Sequence, residues 1–157
     1  MNASEKTPHE IAAYNGFLSG RNCSQAVFAA FSDITGISES DALLISSAFG
    51  GGIGRTRGFC GAVSGMLMAM GKIYGDYSGD DEKSRFYARV RELMEIFRER
   101  ADSTVCGELL EAAGITPTVG GEPAKRDAAF YEARPCPRLC ALAARILDEY
   151  IGENQPQ

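Results

Sequence analysis

Along most of the chain, apolar residues return at every third or fourth position, the spacing of helices that bury one side. The plainest case runs from Asp80 to Arg100, where Phe86, Val90, Leu93, Met94 and Phe97 share one face and Arg and Glu alternate on the other. This segment predicts a long amphipathic helix with a solvated outer side. A first helix is expected over Glu10 to Leu18, stopped by Gly20. A second starts behind the good N-cap Asn22 and carries Cys23, Val27, Phe28 and Phe31 to about Thr35, before Gly36. Ser38 is placed to cap a third, with Glu39 and Asp41 in its first turn and Leu43, Leu44 and Phe49 on its buried side. A fourth reads from about Cys60 to Tyr74, and its Gly61, Ala62, Gly65 and Ala69 admit another helix at close range. Beyond the long helix, Ser103 or Thr104 caps a short one from Cys106 to Ala113, closed by Gly114. Gly50 to Gly58 and Thr116 to Pro123 read as loops, and Arg126 to Tyr131 as one or two turns. Pro135, Cys136 and Pro137 lead into a last helix with Leu139, Leu142, Ile146, Leu147 and Tyr150 facing inward.

No stretch alternates as a strand would, so the expected class is all-α. The predicted architecture is a single-domain multi-helix bundle of about seven or eight helices over residues 1–157. Order is expected over about residues 9–152, with frayed ends at Met1–Pro8 and Glu153–Gln157. A chain of 157 residues is long enough to bury roughly two-thirds of its unfolded surface, so disulfides are not needed for stability.

The 16 Lys and Arg against 21 Asp and Glu give a net charge of −5, which argues against non-specific binding to nucleic acid or anionic lipid. The longest apolar run, around Ala62 to Met70, is broken by Ser64 and Gly65 and falls well short of the roughly 20 residues that cross a bilayer. The first ten residues are polar and contain no signal-peptide core. No membrane insertion and a cytoplasmic location are therefore expected.

Five cysteines, at 23, 60, 106, 136 and 140, change the picture. An odd number in a reducing compartment points to thiols that react, bind metal or simply pack, rather than to a disulfide framework. On the helix map, Cys23, Cys60, Cys106 and Cys136 all fall at helix N-termini, where unpaired N–H groups and the helix dipole favour negative charge. Such positions are expected to lower a thiol's pKa and to make it a better nucleophile or metal ligand. Cys140 lies one turn inside the last helix on the same face as Cys136 and reads as core.

At these residues the chain resembles the C_GCAxxG_C_C family of redox-active proteins. Gly20-Arg21-Asn22-Cys23-Ser24-Gln25-Ala26-Val27 is similar to its first block. Phe49-Gly50-Gly51-Gly52-Ile53-Gly54-Arg55 followed by Cys60-Gly61-Ala62-Val63-Ser64-Gly65 is similar to its glycine-rich stretch and Cys-Gly-Ala-x-x-Gly signature. Cys106 with Glu108, Leu109 and Leu110 resembles the third block, and Cys136-Pro137 the fourth. The resemblance implies a small helical protein with four characteristic cysteines and redox work, often encoded near transporter genes. Cys140 has no counterpart in the pattern.

Three readings follow. In the first, Cys23, Cys60, Cys106 and Cys136 carry thiol–disulfide exchange or electron transfer with a redox partner. In the second, the same four ligate an iron–sulfur cluster or zinc, although no C-x-x-C pair is present and tertiary structure alone would assemble the site. In the third, the cysteines are packed and the chain is an accessory subunit, for instance of a transporter. The glycine-rich loop matches no phosphate-binding motif and is expected to bring backbone near Cys60, with Arg55 and Arg57 either solvated, attracting an anion, or favouring a thiolate there. The lone histidine, His9, reads as a surface residue.

Overall fold

A computed structural model describes residues 5–156. The described chain is 69% helical and forms no strand; one isolated antiparallel bridge joins Phe59 to Val105. The helices are α1 Pro8–Leu18, α2 Cys23–Ala30, α3 Ser32–Thr35, α4 Glu39–Ser46, α5 Gly61–Tyr74, α6 Asp80–Ala101, α7 Cys106–Ala112, α8 Ala128–Ala133 and α9 Cys136–Glu153. A 3₁₀ turn, Ser47–Phe49, and one helix-like turn, Gly50–Ile53, link α4 to α5. Nine α-helices among the described residues exceed the seven or eight expected, because the second predicted helix breaks at Phe31 (φ −99°, ψ 17°) into α2 and α3. No helix among the described residues is long and apolar enough to cross a membrane.

α2 lies at the centre, packed on α1, α4, α5 and α9, while α6 covers α5 and α9 from outside. The core fills with Val27, Phe31, Val63, Met66, Met70, Leu93, Phe97, Ile146 and Leu147, all essentially buried. α6 buries only Leu93 and Phe97 fully, as its one-sided apolar stripe requires. α4 departs from the expected burial. Leu44 is 72% exposed, and the small residues Ala42 and Ser46 face inward instead. Their size lets α4 approach α2 closely enough for Gln25 Nε2 to donate to the Leu43 carbonyl (3.0 Å) and Ser24 Oγ to the Ser46 carbonyl (2.7 Å).

The ends are more ordered than the sequence implies. Thr7 is buried and caps α1: its Oγ1 accepts from Glu10 N–H at 3.0 Å, while Glu10 Oε2 accepts from Thr7 N–H at 3.3 Å. At the other end Glu153 closes α9, and the expected fraying of Met1–Ser4 and Gln157 lies outside the described residues.

His9 is not a plain surface residue. Its ring stacks on buried Phe31 with centroids 4.3 Å apart, Nδ1 lies 2.7 Å from Asp148 Oδ1 of α9, and Nε2 lies 3.0 Å from Asp33 Oδ1 of α3. Hydrogen bonding to Asp148 raises the imidazole pKa against the opposing effect of partial burial. A raised value means that the stabilisation is fully present below the free-imidazole value of 6.5 and is lost as pH climbs through the folded value. Because the pair is partly solvated, the expected loss is modest, about 1 kcal/mol. Denaturant unfolding in acid and in mildly alkaline buffer should show that extra loss in the wild type and not in His9→Gln.

Candidate functional site

The Cys-Gly-Ala-x-x-Gly segment opens α5 and explains its own glycines. A Cβ on Gly61 would sit 2.8 Å from the Phe49 carbonyl oxygen and 3.1 Å from Cys23 Cβ. One on Gly65 would sit 2.6 Å from the Ser24 carbonyl oxygen. Bare backbone at both positions therefore lets α5 lie on the first turn of α2, which draws Cys60, the N-cap of α5, beside Cys23, the first residue of α2. Asn22 fixes that first turn by accepting from Gln25 N–H at 3.0 Å, while Gln25 Oε1 accepts from Asn22 N–H.

A short backbone ribbon brings in Cys106. Cys60 N–H donates to the Thr104 carbonyl at 2.7 Å, Cys106 N–H to Gly58 at 2.6 Å and Gly107 N–H to Arg57 at 3.0 Å. Cys106 is the first residue of α7. The glycine-rich loop lines the same cavity as Cys60, as expected, and it also presses closely on Cys106. At Gly52 (φ +68°) a Cβ would fall 2.6 Å from Cys106 Cβ and 2.7 Å from Gly58 N.

Cys136 begins α9 and lines the same cavity as Cys23, near enough for each thiol to shift the other's pKa. One turn on, Cys140 is fully buried and its Sγ donates to the Cys23 carbonyl at 3.7 Å. Cys140 is thus in the core, as expected, and also in the thiol group. Its spacing from Cys136 shows the shared face, but nothing local shows that Cys23 lies against it. Cys23, Cys60, Cys106 and Cys136 line one cavity of about 370 Å³, and all five cysteines are free thiols. A family model described as "Putative redox-active protein (C_GCAxxG_C_C)" matches residues 21–150.

The chain belongs to the C_GCAxxG_C_C family. The matched span contains all five cysteines, and the family's description supports a redox-active protein. No curated protein and no solved structure matches the chain.

The electrostatics of this C_GCAxxG_C_C site reverse one expectation. The four cysteines do stand at helix starts, yet no thiol pKa is lowered. Burial pushes Cys60 up to about 12, even though the N–H groups of Val63 and Ala62 favour its thiolate. Between Cys23 and Cys136, the Cys136 thiol favours a thiolate on Cys23, but the nearness of Cys140 and burial outweigh it; Cys136 rises because of Cys23 first and burial second. Burial also raises Cys140. The cost of stripping water from a thiolate exceeds what a short helix N-terminus returns. Cys106 differs in having a cation within reach. Although burial raises it, the Arg57 guanidinium, with Nη1 3.8 Å from Sγ, pulls the other way. Arg57 was expected to act on Cys60 if on any thiol; it acts on Cys106.

For a metal, the donor types are right but their placement is not. Among the described residues, no three Cys, His, Asp or Glu side chains are arranged to hold a metal ion.

Proposed function

We propose that the chain performs two-electron thiol–disulfide exchange in a reducing compartment, the cytoplasm. The observation that carries this reading is the gathering of Cys23, Cys60, Cys106 and Cys136, all free thiols, on the wall of one cavity. Cys106 is the entry thiol, because it lines the cavity with the Arg57 guanidinium beside its sulfur. Its thiolate attacks one sulfur of an incoming disulfide; the S–S bond breaks, and the departing half takes up a proton as a free thiol. Cys136 then attacks Cys106 and releases the second half as a thiol. Cys23 attacks Cys136 in turn, which frees Cys106 and stores the oxidation as a Cys23–Cys136 disulfide. Overall, two protein thiols are oxidised and one disulfide is reduced to two thiols. Cys60, buried and hard to ionise, holds the start of α5, and Cys140 backs Cys23.

The test is a thiol count on reduced protein before and after exposure to a small disulfide. Two thiols should disappear and return with reductant, and peptide mass mapping should link residue 23 to residue 136. Failure to lose thiols reversibly overturns the reading. So does protein isolated with stoichiometric iron and visible absorption, which would assign Cys23, Cys60, Cys106 and Cys136 to a cluster instead.

A further inference from the structure

The walls of the thiol cavity carry a charge pattern that thiol exchange alone does not require. Arg55, Arg57, Arg126 and Arg134 all line it, each half-buried, and no Asp or Glu does, although the chain as a whole is acidic. Among the described residues, none of the four is in a salt bridge. They are held by neutral groups. Arg55 Nε donates to the Gly120 carbonyl and Arg57 Nε to that of Thr118, which ties the 118–120 segment to the loop that carries both arginines. Arg126 Nη1 donates to the Phe17 carbonyl at 2.9 Å, and its guanidinium lies 4.4 Å from the Phe17 ring centroid. The Arg134 guanidinium lies 4.7 Å from the Phe130 ring centroid. Burial and the nearness of Arg57 and Arg134 lower the pKa of Arg55, so these cations repel one another across the cavity. Half-buried like charges facing a common space without counter-charge cost stability unless an anion joins them.

We propose that this cavity binds a small organic anion, and that the chain's redox partner is an anionic disulfide or thiol whose carboxylates lie on Arg126 and Arg134 and whose sulfur reaches Cys106. The proposal rests on the exchange reading above. The site is mixed in character: Phe17, Leu109, Phe130 and Leu139 supply apolar wall for a short carbon chain, and the guanidiniums take carboxylate oxygens as paired acceptors. The chemistry is that of the exchange already written. Cys106 sulfur bonds to one sulfur of the ligand, the ligand's S–S bond breaks, and the first carboxylate-bearing half leaves as a thiol. When Cys136 and then Cys23 complete the transfer, the second half leaves likewise.

The test uses three small disulfides that differ in charge: dithiodipropionate (dianionic), bis(hydroxyethyl) disulfide (neutral) and cystamine (dicationic). Each oxidises fully reduced protein at low ionic strength, and loss of thiols is followed in time. With each rate taken relative to that disulfide's rate with free 2-mercaptoethanol, the dianion should react about tenfold faster than the cation, equivalent to about 1.4 kcal/mol. That preference should shrink in high salt and in Arg134→Gln. Equal relative rates for all three overturn the anion site and leave the exchange reading standing. If none oxidises the protein, the exchange reading falls. Adipate, a dicarboxylate without sulfur, then decides the site alone: shielding of Cys106 from iodoacetamide supports the anion site, and no shielding overturns it. The comparison among ligands needs no variant, so it does not depend on the arginine substitution folding.

Discussion

Replacing Cys136 by serine is expected to strand the incoming partner on Cys106. Cys106 keeps its place beside Arg57 and its exposure to the cavity, so the first attack proceeds as before. Resolution needs a thiol in reach, and a serine hydroxyl ionises far too weakly to attack a disulfide sulfur. Intact-mass measurement after a brief exposure to a small disulfide should show a nearly stoichiometric adduct on Cys136→Ser and almost none on the wild type. Cys106→Ser should show the complementary defect: entry slowed by about tenfold or more, because the thiolate that the Arg57 guanidinium favours is gone. Entry should also quicken as pH rises toward the raised pKa of Cys106, since the reactive form is the thiolate. Arg57→Gln should shift that pH–rate curve to higher pH. An adduct that forms equally on wild type and Cys136→Ser would remove Cys136 from the resolving role.

Gly52→Ala is expected to be strongly destabilising. Two costs add. The backbone at residue 52 sits at φ +68°, where an L side chain is strained by about 1–2 kcal/mol. The new methyl would also press within 2.6 Å of Cys106 Cβ and within 2.7–2.8 Å of the backbone at residues 57 and 58, and such overpacking costs about 1–3 kcal/mol. A loss of about 2–5 kcal/mol is a large share of the roughly 5–15 kcal/mol that holds a domain of ordinary stability. The strain bears on the Cys106 backbone, so the residue that meets the partner should move. Chemical denaturation measures the first effect, and the rate of Cys106 alkylation in the still-folded protein measures the second. A variant with wild-type stability and wild-type Cys106 reactivity would show that the loop is not held as described.

What could be read from the sequence was local. Asn22 and Ser38 cap helices because a short polar side chain sits one residue ahead of a helical run, and both do so in the structure. The stripe on α6 and the placement of Cys23, Cys60, Cys106 and Cys136 at helix starts follow from the same short-range logic. What escaped was long-range. The partner of His9 is 139 residues away at Asp148, and the break at Phe31 that lets Asp33 reach the same imidazole has no glycine or proline to announce it. The pairing of residues 57–60 with 104–107 is too brief to leave an alternating pattern, so the link between Arg57 and Cys106 was invisible. The expected drop in thiol pKa failed for a related reason. A helix start can be recognised from a few neighbours, whereas the depth of burial depends on every element that covers it.

The two thiols proposed to store the oxidation, Cys23 and Cys136, come from the first turns of α2 and α9, near opposite ends of the chain. A bond between them would enclose most of the polypeptide in one covalent ring, and cross-links that span so many residues restrict the unfolded ensemble by about 4–5 kcal/mol. Electron transfer and resistance to heat are then thermodynamically linked: each oxidised molecule should melt at a higher temperature than its reduced twin. By the same linkage, any force that unravels the fold makes the bond easier to reduce.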